Sequence, residues 1–128
     1  MGSAYPLAGS WILVVEDEPL ISLDVAATFE SAGATVLSAR TVAEAVGQIG
    51  QGDLSGAVLD SGLGTESVSG LCDVLRARGI PFMFYTGNGG VQESYPGSVV
   101  VQKPATRDTL VTAIAGVLKT RTGEIVAA

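Results

Sequence analysis

Residues 11–20 read WILVVEDEPL, a run of five apolar residues followed by three acids, a proline and a leucine. A continuous apolar run without polar alternation is typical of a β-strand that is covered on both faces. Pro19 is suited to the first turn of a helix. Ile21, Val25 and Phe29 then follow at helical spacing. The segment therefore predicts a buried strand, an acidic strand end and an amphipathic helix, in that order.

Four further short apolar runs, rich in β-branched residues, predict four more strands. They are Thr35–Leu37, Ala57–Leu59, Phe82–Tyr85 and Ser98–Val101. Segments with helical spacing lie between them, so the pattern predicts βα units around a parallel sheet in an α/β fold. The last two strand centres, near residues 84 and 100, are too close for a full helix and its two loops. We therefore expect the helix between these strands to be short or absent.

Cap signals mark two of the other predicted helices. Thr41 and Glu44 have the spacing of a capping box, and Thr106 is placed to cap the last helix, which runs to about residue 119. The second helix carries the apolar residues Val42, Ala45, Val46 and Ile49. A third helix, near residues 68–78, has Cys72 at a core position, so we predict a packing role for this thiol rather than a redox role.

Composition excludes several classes of function. The chain has 128 residues, 47% of them hydrophobic, and 13 acids against 7 bases give it a net charge of −6. This charge argues against direct binding to nucleic acid or to anionic membranes. The chain has no histidine and a single cysteine, which excludes Ser-His-Asp and Cys-His catalysis, zinc fingers and internal disulfides. Any chemistry must come from carboxylates, hydroxyls, lysine or backbone.

The length predicts one domain over residues 10–121, with a flexible lead-in over residues 1–9 and a tail over residues 122–128. The first basic residue is Arg40, so the start of the chain lacks the positive region of a signal peptide. Its apolar runs are far shorter than the roughly 20 residues that span a bilayer. We therefore expect a cytoplasmic protein.

Polar side chains follow four of the predicted strands. Glu16 and Asp17 follow the first, Asp60 the third, Thr86 the fourth and Lys103 the fifth. Ligands of open parallel sheets collect at the carboxyl ends of the strands. Clustered carboxylates repel one another unless a cation neutralises them, and oxygen ligands favour Mg²⁺ or Mn²⁺. A divalent-metal site is therefore our hypothesis; solvated strand-end charges would explain one such acid, but not four strand ends together.

Motifs in residues 11–120 resemble the receiver domains of two-component response regulators, the CheY-like family. The resemblance lies in the acidic segment of residues 12–20, in Val58-Leu59-Asp60, in Thr86-Gly87 and in Gln102-Lys103-Pro104. It implies a doubly wound, flavodoxin-like sheet of five parallel strands in the order 2-1-3-4-5. It also implies a protein that is not an enzyme in the usual sense but assists its own aspartyl phosphorylation and dephosphorylation.

The resemblance further implies a role for each strand-end residue. Asp60 would accept a phosphoryl group from the phosphohistidine of a sensor kinase. Thr86 and Lys103 would contact the phosphoryl oxygens. The Mg²⁺ ligands would be Glu16 through water, Asp17, Asp60 and the backbone carbonyl of Gly62. A sensor histidine kinase or phosphotransfer protein would dock near Leu20 and Leu23, which lie off the inward stripe of the first helix; the alternative for these two leucines is packing under the last helix.

The chain departs from the family's pattern at several positions. Val100 stands where the family usually has an aromatic residue, three positions before the lysine. Residues 81–87, PFMFYTG, are similar to the "FAT GUY" subgroup of receivers, although Tyr85 stands for its alanine and Asn88 for its aromatic residue. In that subgroup the fourth helix is shortened or replaced, which agrees with the short interval between the last two strands.

Other families share this architecture but fit less well. A flavodoxin-like FMN site needs an anion cradle after the first strand, where three acids would repel a phosphate. A haloacid-dehalogenase-type phosphatase requires Asp-x-Asp after the first strand, and the chain has Glu-Asp-Glu at residues 16–18. A phosphorylation-independent pseudo-receiver that acts by binding is the stronger alternative. The sequence also leaves open whether the domain stands alone or belongs to a larger regulator.

Overall fold

The structure is a computed structural model and describes residues 5–63, 68–87, 95 and 97–120. Five strands are present: β1 (Trp11–Val15), β2 (Thr35–Ala39), β3 (Gly56–Leu59), β4 (Phe82–Thr86) and β5 (Val100–Gln102). The helices of the described residues are α1 (Pro19–Ser31), α2 (Val42–Ile49), α3 (Ser69–Ala77) and α4 (Arg107–Lys119). None of these four helices has the length and apolarity needed to cross a membrane.

All five strands are parallel and form one sheet in the order β2-β1-β3-β4-β5. This order confirms the predicted doubly wound, flavodoxin-like α/β fold. Its register places the last residues of β1 and β3 side by side, with Val15 opposite Leu59, and pairs Leu59 with Phe84, two residues before the end of β4. The predicted short or absent helix between β4 and β5 falls on residues 88–94, which lie outside the described residues.

Each face of the sheet carries its own apolar core. Side chains of a strand alternate between the two faces, so Leu13 belongs to one core and its neighbour Val14 to the other. The first core contains buried residues of α2 and α3, such as Ile49 and Leu75. The second contains those of α1 and α4, such as Phe29. The carboxyl edge of the sheet is therefore held between two packed layers of helices.

Side-chain caps begin two of the helices where the sequence predicts them. The Thr41 hydroxyl accepts from the Glu44 N–H at 3.1 Å, and the Thr106 hydroxyl accepts from the Thr109 N–H at 3.1 Å. The Glu44 carboxylate bonds the N–H of Arg40 at 2.8 Å, one residue earlier than in a standard capping box. Val46 is exposed and is not part of the buried face of α2, which consists of Ala45 and Ile49.

Cys72 is fully buried in the core beside α2, as its predicted packing role requires. Burial raises the pKa of its thiol to about 11. A thiol with so high a pKa stays protonated at neutral pH, and only the thiolate is a nucleophile. Cys72 therefore packs in the core and does not offer a reactive thiolate.

The lead-in expected over residues 1–9 is wrong for Leu7, whose side chain is fully buried in the same core as Phe29 and Ala32. Its backbone N–H donates to the carbonyl of Ala32 at 2.8 Å. Next to this contact, Gly33 has a φ of +103°, and a Cβ there would lie 3.0 Å from the backbone of Ala8. Leu7 stands alone ahead of the first strand and belongs to no helical or strand pattern of apolar residues, so the sequence does not predict its burial. It is buried because the chain before β1 packs against the end of α1.

We predict that Leu7→Ala lowers the free energy of unfolding by about 2–4 kcal/mol, because it removes a fully buried leucine side chain. Urea denaturation measures this change. Leu20→Ala is the matched control, and since Leu20 is exposed its effect should stay within about 0.5 kcal/mol. Equal, small effects of the two substitutions would contradict the assignment of Leu7 to the core.

Candidate functional site

Four strands bring one polar side chain each to the carboxyl edge of the sheet. Glu16 follows β1, Asp60 follows β3, Thr86 ends β4 and Lys103 follows β5. Backbone bonds extend the sheet through these positions: the Asp60 N–H donates to Val15 at 3.0 Å, and the Lys103 N–H donates to Thr86 at 3.0 Å. The four side chains therefore lie close together, because the strands stay hydrogen-bonded to one another up to these positions.

The ammonium of Lys103 joins two of the acids. Its Nζ donates to Glu16 Oε1 at 2.7 Å and to Asp60 Oδ2 at 3.1 Å. Glu16 and Asp60 are both buried. The peptide bond between Lys103 and Pro104 is cis. A lysine from the end of the last strand thus neutralises part of the charge of two carboxylates from the middle of the sheet.

Three acids form a cluster that fits a divalent cation. Carboxylate oxygens of Glu16, Asp17 and Asp60 all lie within 4.8 Å of one another, and Asp17 is the most accessible of the three. Lys103 is the one cation that bonds the cluster among the described contacts, so an excess of negative charge remains. Hard divalent cations prefer such oxygen ligands. The donor set therefore suits Mg²⁺ or Mn²⁺, as the sequence predicts.

Asp60 also accepts a hydrogen bond from its own loop and is influenced by a hydroxyl of β4. The Gly62 N–H donates to Asp60 Oδ1 at 3.1 Å. The Thr86 hydroxyl helps to lower the pKa of Asp60, as a donor to a carboxylate does. In turn, Ser61 Oγ lies 3.0 Å from Thr86 Oγ1. The carboxylate is held by donors on more than one side, which fixes its orientation at the edge of the sheet.

These contacts set the charge states of the site. Burial raises the pKa of Asp60, but hydrogen bonds, above all from the Gly62 N–H and from Lys103, outweigh burial and hold that pKa below its ordinary value. Burial raises the pKa of Glu16, and the bond from Lys103 opposes this only in part. Burial lowers the pKa of Lys103, but its bonds to the two carboxylates outweigh burial and raise it. Asp60 is thus ionised and Lys103 is charged at neutral pH.

The sequence predicts no role in the site for two residues, Ser61 and Tyr85. The Ser61 hydroxyl contacts the hydroxyl of Thr86. The Tyr85 hydroxyl accepts from the N–H of Ala105 at 3.1 Å, and Lys103 Nζ lies 5.8 Å from the centre of the Tyr85 ring. Tyr85 therefore ties β4 to the turn that carries the lysine. Its position next to Thr86 in a strand was visible in the sequence, but the partner 20 residues away was not.

The first turns of α1 place two leucines in solvent near this edge. Leu20 is 75% exposed and Leu23 is 68% exposed. The alternative that they pack under the last helix is therefore wrong. The helix begins at Pro19, directly after the acidic segment, so the two side chains lie in its first turns, close in sequence to the acids at the carboxyl edge of the sheet.

Solved structures of known proteins share this fold. A response regulator receiver protein from Sinorhizobium medicae has 24% identity and a TM-score of 0.78, and the match covers 88% of this chain and 96% of that chain. SdrG from Sphingomonas melonis has 35% identity and a TM-score of 0.74, with 91% and 99% covered. The anti-anti-sigma factor PhyR from Bartonella quintana has 26% identity and a TM-score of 0.78, with 94% of this chain but 53% of PhyR covered. No protein-family model and no curated protein matches the sequence.

We predict that Lys103→Met raises the pKa of Asp60, because the variant loses a hydrogen bond and a positive charge while the burial remains. In the wild type the lowered pKa of Asp60 stabilises the fold at neutral pH, and this contribution is lost as the pH falls through that pKa. Carboxyl ¹³C NMR measures the titration.

Arg76→Met is the control for this titration, because it makes the same change of charge in α3, where Arg76 pairs with Asp73 at 3.5 Å. The control should leave the Asp60 titration in place. A titration curve of Asp60 that is the same in Lys103→Met and in the wild type would contradict the role assigned to the ammonium.

Proposed function

Because the chain belongs to the receiver domains of response regulators, we propose that it takes a phosphoryl group from a phosphohistidine of a sensor kinase onto Asp60. One observation carries the proposal: Lys103 Nζ bonds both Glu16 and Asp60, beside the Thr86 hydroxyl, which helps to lower the pKa of Asp60. An ionised acid, an ammonium and a hydroxyl thus converge where a phosphoryl group would be bound.

The transfer step follows from these groups. An Asp60 carboxylate oxygen attacks phosphorus, the phosphorus–nitrogen bond of the phosphohistidine breaks, and its electron pair leaves with the imidazole. The lowered pKa of Asp60 keeps this nucleophile ionised at neutral pH. Lys103 and Thr86 stabilise the phosphoryl oxygens, whose charge develops in a loose, metaphosphate-like transition state. The domain thereby assists its own phosphorylation without turning over a substrate as a classical enzyme does.

A divalent cation belongs to the proposal. Glu16, Asp17 and Asp60, with the backbone carbonyl of Gly62, would hold Mg²⁺ or Mn²⁺, with Glu16 acting through water. When bound, the cation neutralises charge on the phosphoryl oxygens. The excess negative charge of the three acids supports this assignment, since Lys103 balances only part of it.

The partner is proposed from the exposed leucines of α1. Leu20 and Leu23 present apolar surface to solvent beside the acidic edge, and exposed apolar surface next to a reactive group suits a protein that must bring its own reactive group there. We propose that a sensor histidine kinase or phosphotransfer protein docks on these two side chains. A cytoplasmic location and the similarity of residues 81–87 to the "FAT GUY" subgroup are parts of the same proposal.

We predict that acetyl phosphate with Mg²⁺ adds one phosphoryl group to the wild-type protein and none to Asp60→Asn, because the amide is not a nucleophile toward phosphorus. Intact-protein mass spectrometry measures the product. Asp53→Asn is the control, since Asp53 is exposed and precedes β3 at the opposite end of the strand. Removal of Mg²⁺ with EDTA should abolish the labelling.

Labelling of Asp60→Asn at the wild-type level would contradict the assignment of the phosphoacceptor. An unlabelled wild type would instead favour the other function that the sequence leaves open, a phosphorylation-independent binding module.

We predict that Leu20→Ala and Leu23→Ala slow phosphoryl transfer from a sensor kinase about fivefold or more, as the loss of a buried leucine contact implies. Both variants should keep the wild-type rate with acetyl phosphate, because neither side chain contacts the site. Val46→Ala is the control, since Val46 is exposed on α2, away from the acids. Equal loss with both phosphodonors would point to misfolding and would contradict the docking role.

A further inference from the structure

Two hydroxyl groups meet behind the phosphoacceptor. Ser61 follows Asp60 directly, and its Oγ lies 3.0 Å from Thr86 Oγ1. Thr86 is 1% exposed, so its hydroxyl depends on protein partners rather than on water. Ser61 is only partly exposed. The contact joins the loop after β3 to the end of β4, across 25 residues of sequence.

The direction of each hydrogen bond follows from the number of protons. A hydroxyl lowers the pKa of a carboxylate by donating to it, and the Thr86 hydroxyl helps to lower the pKa of Asp60. With its single proton directed toward Asp60, Thr86 Oγ1 accepts from Ser61 Oγ, which lies 3.0 Å away. The order is a chain in which the Ser61 hydroxyl donates to Thr86 and the Thr86 hydroxyl donates to Asp60.

We propose that Ser61 is a positioning residue that directs the Thr86 hydroxyl proton at the phosphoacceptor. This inference rests on the proposed function of Asp60. Without the serine, the Thr86 side chain can turn about its Cα–Cβ bond and move its hydroxyl away from Asp60. With it, the threonine oxygen is occupied as an acceptor, and its proton is directed to the place where a phosphoryl oxygen arrives. Hydrogen bonds in series also polarise one another, which makes Thr86 a stronger donor.

The chain of hydroxyls serves the phosphorylated state as well. When an Asp60 carboxylate oxygen bonds phosphorus, the Thr86 hydroxyl donates to a phosphoryl oxygen instead of to the carboxylate, and its hydrogen bond from Ser61 is kept. The Ser61 hydroxyl therefore needs no reorientation at the moment of transfer. Preorganised donors of this kind stabilise a transition state because they need no reorientation.

The experiment compares the wild type with Ser61→Ala, Ser61→Thr and Ser38→Ala. Ser61→Ala removes the donor, and Ser61→Thr keeps a hydroxyl at the same carbon. Ser38 is an exposed serine of β2, at the far edge of the sheet, and is the matched control. Three-bond NMR couplings report the χ1 rotamers of Thr86 in the unphosphorylated protein. The rate of labelling by acetyl phosphate with Mg²⁺ reports the chemical step.

We expect one Thr86 rotamer in the wild type, Ser61→Thr and Ser38→Ala, and averaged couplings in Ser61→Ala. Labelling of Ser61→Ala should be about fivefold slower, the effect of losing one hydrogen bond. Ser61→Thr should label at close to the wild-type rate. A Ser61→Ala variant with a single Thr86 rotamer or an unchanged rate, beside a labelled wild type, overturns this inference alone. An unlabelled wild type overturns the proposed function and this inference with it.

Discussion

The ammonium of Lys103 between two buried carboxylates is the interaction on which the site depends. Its bonds of 2.7 and 3.1 Å reach Glu16 and Asp60, which come from two neighbouring central strands. Burying either carboxylate without a counter-charge costs several kcal/mol. The positive charge of Lys103 offsets part of this cost. The position of β5 beside β4 is therefore as important to the chemistry as to the sheet, because β5 carries the lysine to the acids.

The same strands that build the two cores also build the site. Each strand end changes from apolar to polar within one residue, as at Val15 and Glu16 or at Leu59 and Asp60. The apolar residue packs between the helix layers, and the polar residue projects from a backbone that the two cores hold in place. Among the described residues, no buried side-chain nitrogen or oxygen lacks a hydrogen-bond partner. The positions of the site residues at the strand ends are thus well defined, because the strands that carry them are packed in the interior of the domain.

Tyr85 shows how core and site are coupled in this chain. Its ring belongs to the core beneath α1 and α4, its hydroxyl bonds the turn after Pro104, and Lys103 Nζ lies near the ring. Through these contacts one side chain joins the core on one face of the sheet to the turn that carries the lysine. On the other face, Val100 of β5 packs against the opposite core.

Local patterns in the sequence were sufficient to predict the strands, most helix ends and the polar residues at the strand ends. The reason is that periodicity and capping involve residues only a few positions apart. The order of the strands and the roles at the edge came from motif resemblance. Only the tertiary structure decided the burial of Leu7, the pair of Ser61 with Thr86 and the bond from Ala105 to Tyr85. These contacts join residues 20 or more positions apart, and they depend on strand register and turn geometry. Nothing in a local pattern specifies which distant hydroxyl or backbone group a side chain will meet, because that choice is made when the elements pack.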